Sequence, residues 1–210
     1  MTQPDPAAAR RYATLARLKA SLKLDPVAPD AARDELLTEA LDVASRQIDK
    51  TCNRPHGFWL DQAPTTREYR TIGRVVAGDD GDALLVDDIA SLTGLVVAAR
   101  TGSGHAWEAL DAGDVDPEPC NALIDGRPVT LLRRWRGWAA DRVRVTALHG
   151  WPEVPAEVAM ACRMQALRLY RRKDSPEGVL GSAEWGVTRV ARVDPDVAEL
   201  LRDYVLEETG

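Results

Sequence analysis

The sequence predicts an α+β fold: a helical domain of about four helices, interrupted by an inserted antiparallel β-subdomain. Three observations carry this. Apolar residues recur at helical spacing near both ends of the chain, over residues 12–52 and again over 155–205. Between them, short apolar runs are split by Gly- and Asp-rich turn signals at steady intervals, as in antiparallel strands. And 210 residues suit one domain, or one domain carrying a subdomain. The expected division is an N-terminal arm and helix pair over 1–65, a β-rich insertion over 66–148, and a helix-arm-helix segment over 149–210 that completes the helical domain.

Residues 1–11 read as an arm. From Tyr12 the pattern turns helical, with Leu15, Leu18 and Leu22 on one side and Lys19 and Lys23 on the other. Asp25-Pro26 through Pro29 breaks it. Asp30 is the expected N-cap of a longer helix, whose buried stripe is Leu37, Leu41, Ala44 and Ile48. Residues 53–57 end that helix. Residues 66–72 alternate weakly. Residues 84–86 and 92–98 read as short strands joined through the polar residues 87–91, and 120–124, 129–134 and 142–147 continue the theme. Asp79-Asp80-Gly81-Asp82 reads as a hairpin turn, since it lacks the register and distal glutamate of a calcium loop.

Gly150-Trp151-Pro152 opens the last segment. Pro155 suits the first turn of a helix with Val158, Cys162, Gln165 and Leu169 on one stripe and Met160, Met164 and Leu167 beside it. Arg171, Arg172 and Lys173 complement the negative end of its dipole. After a long connection, Asp194-Pro195 caps a final helix expected to bury Val197, Leu200, Leu201, Tyr204 and Val205.

A net charge of −6 argues against an electrostatic grip on nucleic acid over the whole surface, while leaving room for a local patch. Cys52, Cys120 and Cys162 are scattered and odd in number, which reads as reduced thiols and not a disulfide frame. The polar, Pro/Ala-rich N-terminus lacks the apolar core of a secretory leader, and no run has the length of a membrane span.

No catalytic, metal or cofactor constellation is expected. His56, His105 and His149 share no ligand spacing with one another or with a cysteine, and His56 and His149 adjoin glycines in expected turns. Gly102-Ser103-Gly104 lacks the third glycine of a phosphate loop. Asp111, Asp114, Asp116 and Glu118 read as a solvated acidic loop.

The sharpest local signal is Arg133-Arg134-Trp135-Arg136-Gly137-Trp138. Its first reading is a hairpin with one Trp face buried under arginine stems. A subunit interface comes second, and nucleic-acid stacking and phosphate contact by Arg133, Arg134, Trp135, Arg136 and Trp138 third. Residues 175–193 form a long connection carrying Leu180, Trp185, Val187 and Arg189. Loops of this length are uncommon inside compact domains. Two readings stand open: a β-hairpin on its own subunit, or an extended arm added to a neighbour with Leu180 and Trp185 as anchors.

Three stretches together resemble the head–tail connector (adaptor) proteins of long-tailed bacteriophages. The first runs from Tyr12-Ala-Thr-Leu-Ala-Arg-Leu-Lys19 through Asp34-Glu-Leu-Leu-Thr-Glu-Ala-Leu to Cys52-Asn53-Arg54. The second is the strand around Tyr69 with Leu85-Val86-Asp87-Asp88-Ile89-Ala90-Ser91-Leu92. The third joins Gly150-Trp151-Pro152, Arg168-Leu169-Tyr170-Arg171-Arg172, Asp174-Ser175-Pro176 and Asp194-Pro195-Asp196-Val197. The β insertion departs from the smallest, all-helical members. The resemblance implies a structural virion protein with no catalytic residue. It would form a ring, dodecameric in the family, beneath the portal protein, and meet a stopper or tail-completion protein below. Genomic DNA would pass through without specific binding, with no membrane involved. The place implied is the virion neck, assembled in the host cytoplasm. On that reading Trp151, Arg171, Arg172, Leu180, Trp185, Val187, Arg189 and Tyr204 are the candidate subunit or portal contacts. A DNA-binding or packaging accessory using residues 133–138 is the alternative, and a stopper or tail terminator the nearest confusion within the structural class.

Overall fold

The computed structural model of the chain describes residues 10–25, 30–102, 106–172 and 194–206. Among them are four α-helices and a seven-stranded antiparallel sheet, so the fold is α+β with the sheet inserted between helices in sequence. The chain divides into two compact units, Met1–Pro55 with Val154–Glu207, and His56–Glu153 with Glu208–Gly210.

The first unit is helical. α1 (Leu15–Ser21) begins where Thr14 Oγ1 accepts the Arg17 N–H. α2 (Ala31–Thr51) begins where the Asp30 carboxylate accepts the Arg33 N–H, satisfying a donor the helix itself leaves free. Its stripe of Leu37, Leu41, Ala44 and Ile48 is buried. α3 (Ala156–Arg172) packs on α2, and α4 (Pro195–Leu201) packs on α3. α4 starts at Asp194, with Pro195 in its first turn. Beyond α4 the Leu206 N–H donates to Cys52 O at 3.0 Å and Arg54 Nε to Tyr204 O at 2.9 Å, tying the tail to the end of α2.

Three expectations for this unit change. Lys19 is buried, not solvent-facing. Its ammonium sits 3.0 Å from an Asp34 oxygen, and that partner makes burial of the charge tolerable. On α3 Val158 and Cys162 of the expected stripe are buried, but Ala161 and Ala166 complete the seam in place of Gln165 and Leu169, while Met160 stays exposed. Small residues let α2 approach closely, with Ser45 Oγ 3.4 Å from Cys162 Sγ. Val205 is exposed because α4 gives way to a 3-10 turn, Arg202–Tyr204, and the helical phase is lost.

The second unit is the sheet. Its strands are β1 (Thr65–Arg70), β2 (Val75–Val76), β3 (Asp82–Arg100), β4 (Glu108–Ala109), β5 (Asp116–Glu118), β6 (Val129–Arg134) and β7 (Arg142–His149). The order is β1-β7-β3-β6-β5, with β2 and β4 also paired to β3. The first half of β3 pairs with β6 and the second with β7, with register shifts between Leu85 and Val96. β7 alternates strictly. Val143, Val145, Ala147 and His149 point inward to a core with Tyr69, Leu84, Ile89, Leu132 and Trp138.

The two short strands expected at 84–86 and 92–98 are one 19-residue strand. Asp87 and Asp88 do not break it, because neighbours satisfy them. Arg67 Nη1 lies 3.0 Å from Asp87 Oδ2, and the Trp151 indole donates to Asp88. Residues 120–124, expected as a strand, form turns. Pro119 offers no N–H to a ladder, and the Ile124 and Asp125 N–H groups both donate to Asn121 O. His149 is not a loop residue: it ends β7 and is fully buried. Gly150 follows with φ 114°, and a Cβ there would lie 1.7 Å from Trp59 O.

Candidate functional site

The candidate contact residues fall into two groups. Leu180, Trp185, Val187 and Arg189, with the arm that carries them, lie outside the described residues. Of the rest, Arg171 and Arg172 are exposed on the last turn of α3. The Tyr204 hydroxyl donates to Glu157 Oε2 at 3.0 Å, holding the 3-10 turn to the start of α3. Trp151 is 4 % exposed. Its ring packs against Phe58 with centroids 5.1 Å apart and its indole N–H meets Asp88, so its surface is used within the sheet unit. A hollow of about 240 Å³ opens along α2 and α3, lined by Leu36, Glu39, Ala40, Val43, Leu169 and Tyr170.

The structure splits the arginine–tryptophan run. Trp138 is buried in the sheet core, and its Nε1 donates to Asp82 O at 3.0 Å. Trp135 stands 74 % exposed. Arg133 bridges Glu118 and Asp80, both at 2.8 Å, and the hydrogen bond it donates to Glu118 holds its pKa above the ordinary value. Arg134 Nη2 lies 3.8 Å from Asp114. The acidic stretch expected to be solvated therefore supplies carboxylates to the two arginines. Arg136 is exposed on the turn after β6.

A different set of arginines is gathered by strand register. Arg142 on β7 lies directly opposite Arg70 on β1 and Arg100 on β3. Opposed residues in an antiparallel ladder project to the same face, so three guanidiniums share one rung. Arg144, two residues on, projects to that face as well. The Trp107 ring joins them, with Arg144 Cζ 4.0 Å and Arg100 Cζ 4.7 Å from its centroid. Among the described residues one carboxylate answers the group. Glu68, on β1, lies 2.6 Å from Arg142 and 3.2 Å from Arg144, and these guanidiniums, Arg142 first, hold its pKa below the usual carboxylate value. Arg70 and Arg100 have no carboxylate partner among the described residues, and the buried Nε of Arg100 has no hydrogen-bond acceptor there. No contiguous motif marks this cluster. The one local signal is the Arg-Val-Arg alternation at 142–144, which places two cations on the outer face of a half-buried strand.

On the inward face, burial pushes the His149 imidazole down to about 4, with the Arg67 charge adding to the effect. His149 Nδ1 lies 3.2 Å from Thr65 Oγ1, which donates to Asp61 at 2.7 Å, and its buried Nε2 has no partner among the described residues. No group of three or more His, Cys, Asp or Glu among the described residues is placed to hold a metal ion, and no described helix is long and apolar enough to cross a membrane.

No protein-family model matches the sequence, and no curated protein matches it. Among solved structures, the chain is similar to one from the neck of an empty GTA particle computed with C6 symmetry, at 16 % identity, a TM-score of 0.49 and coverage of 99 % of this chain and 94 % of that one. A likeness of that degree assigns neither a family nor a function to this chain.

Proposed function

We propose that the chain is a structural neck protein of a phage-type particle: an adaptor that closes into a ring beneath the portal and joins head to tail. The observation that carries the reading is the discontinuous helical unit. Helices from the first and third stretches of the adaptor resemblance are far apart in sequence, yet α1, α2, α3 and α4 fall in one compact unit, while Gly150-Trp151-Pro152 of the third stretch belongs with the β insertion to the other. With the insertion set aside, what is left is a helical domain of the kind the smallest adaptors consist of. Ring closure suits the chemistry, because a weak contact repeated around a closed circle adds up without any one interface being large.

In this reading the arm at 175–193, the N-terminal arm and the C-terminal helix make the contacts to neighbouring copies and to the portal, with a stopper or tail-completion protein bound below. The adaptor reading is preferred to the accessory reading because Arg133 and Arg134 are already engaged by carboxylates of their own unit. The test is deletion of residues 175–193. The shortened chain should fold as judged by circular dichroism and leave particles without completed necks. Normal tailed particles from the deletion would reject the arm's role.

A further inference from the structure

We propose that the outer face of β1, β7 and β3 binds the phosphate backbone of nucleic acid through Arg70, Arg100, Arg142 and Arg144, with Trp107 bracing the guanidiniums. The neck reading requires no such contact. This inference rests on charge geometry alone and stands or falls separately.

The rung itself stores repulsion. Like charges directly opposed across strands are destabilising, and here three cations share one rung. Adjacent strands lie about 4.8 Å apart, so the three side chains emerge within roughly 10 Å of one another. The Trp107 ring draws two of the cations together. Both Arg100 and Arg144 lie within cation–π range of it, so their guanidinium carbons are no more than about 9 Å apart. The arrangement concentrates positive charge that the fold does not neutralise. Glu68 answers Arg142 and Arg144, leaving Arg70 and Arg100 without a carboxylate among the described residues.

An anion placed over this face relieves the repulsion. The choice of arginine at all four positions favours phosphate, whose oxygens match the guanidinium fork two at a time. The extent of the row favours a chain of phosphates over a single ion. On the β5 and β6 side of the sheet, Asp80, Asp114 and Glu118 are already held by Arg133 and Arg134, which disfavours those carboxylates of a second copy as the occupant. With few contacts, the grip should be weak and strongly dependent on salt.

The experiment is fluorescence anisotropy on the purified full chain with a labelled oligonucleotide of about 20 nucleotides, single-stranded and duplex, from about 50 to 200 mM salt. Binding should appear at low salt, with a log–log slope of about −3 to −4 for duplex. Arg70→Gln with Arg100→Gln should weaken it about tenfold or more and reduce the slope by about 2. Arg17→Gln with Arg202→Gln, exposed arginines of the helical unit, should leave the slope unchanged. Should Arg100→Gln impair folding, Glu68→Gln keeps the test open: removing the one carboxylate should tighten binding about 3–10-fold. Preference for single strand or duplex identifies which form the face takes, and either supports the proposal. Absence of binding at low salt would overturn it. So would equal loss from both double variants, no gain from Glu68→Gln, or equal affinity for poly-glutamate of matched length.

Discussion

Trp151 Nε1 donates to Asp88 Oδ2 at 2.9 Å inside the sheet unit, and the backbone of the same aspartate accepts the Gly150 N–H at 2.8 Å. One residue of β3 thus fixes the chain as it leaves β7. Asp88→Ala should cost about 1–3 kcal/mol, because the indole N–H stays buried with its acceptor gone. Trp151→Phe should cost a similar amount through lost volume and a less satisfied carboxylate. In a double-mutant cycle read by urea denaturation, the two should couple by at least about 0.5 kcal/mol. Strict additivity would show that the bond contributes nothing.

Gly150→Ala should cost more than about 4 kcal/mol. The new methyl would meet Trp59 O at 1.7 Å, at a φ of 114° that side chains avoid. Gly94→Ala is the matched control. Its φ of 74° is also unfavourable, but nothing lies within 4 Å, so about 1–2 kcal/mol is expected. Thermal melts of the two variants should differ by several degrees. Equal melting temperatures would contradict the close approach at Trp59.

His149 makes stability pH-dependent in a defined window. Its folded pKa of about 4 lies below the ordinary 6.5, so between those values the unfolded chain binds the extra proton. Stability is whole above 6.5 and falls as pH drops toward 4, by up to roughly 3 kcal/mol. Asp61 and Asp87 oppose the shift, and burial with Arg67 outweighs them. His149→Gln should flatten the curve of stability against pH over that window, relative to wild type. An unchanged slope would contradict the assignment.

The thiols should divide one to two. Cys120 is exposed, while burial raises Cys52 to about 11 and also raises Cys162. At pH 8 a thiol reagent should label one cysteine quickly in the native chain and three after denaturation. Fast labelling of two or more in the native chain would contradict the burial of α2 and α3.

The helices were legible because their signals are local. The stripe Leu37, Leu41, Ala44, Ile48 and the caps Asp30 and Asp194 are each written within a few residues, and each holds in the structure. The insertion was legible as a β texture but not strand by strand. Asp87 and Asp88 read as a connection because the groups that satisfy them, Arg67 and Trp151, are distant in sequence. Lys19 misled for the same reason, its partner Asp34 lying on the next helix. The arginine face was invisible. Arg70, Arg100 and Arg142 meet only through cross-strand register, which alternation within a strand does not specify. The run at 133–138, whose first reading is a hairpin with one Trp face buried, has Trp138 buried and Arg133 and Arg134 paired with carboxylates of its own sheet unit.

Closing a ring at the junction of head and tail is the role proposed for this chain. Electron microscopy of phage particles assembled with a C-terminally tagged, gold-labelled copy tests it most directly. Label is expected in a single band between capsid vertex and tail, several copies per particle. Label on the capsid shell or along the tail, or particles with completed necks and no label, would contradict it.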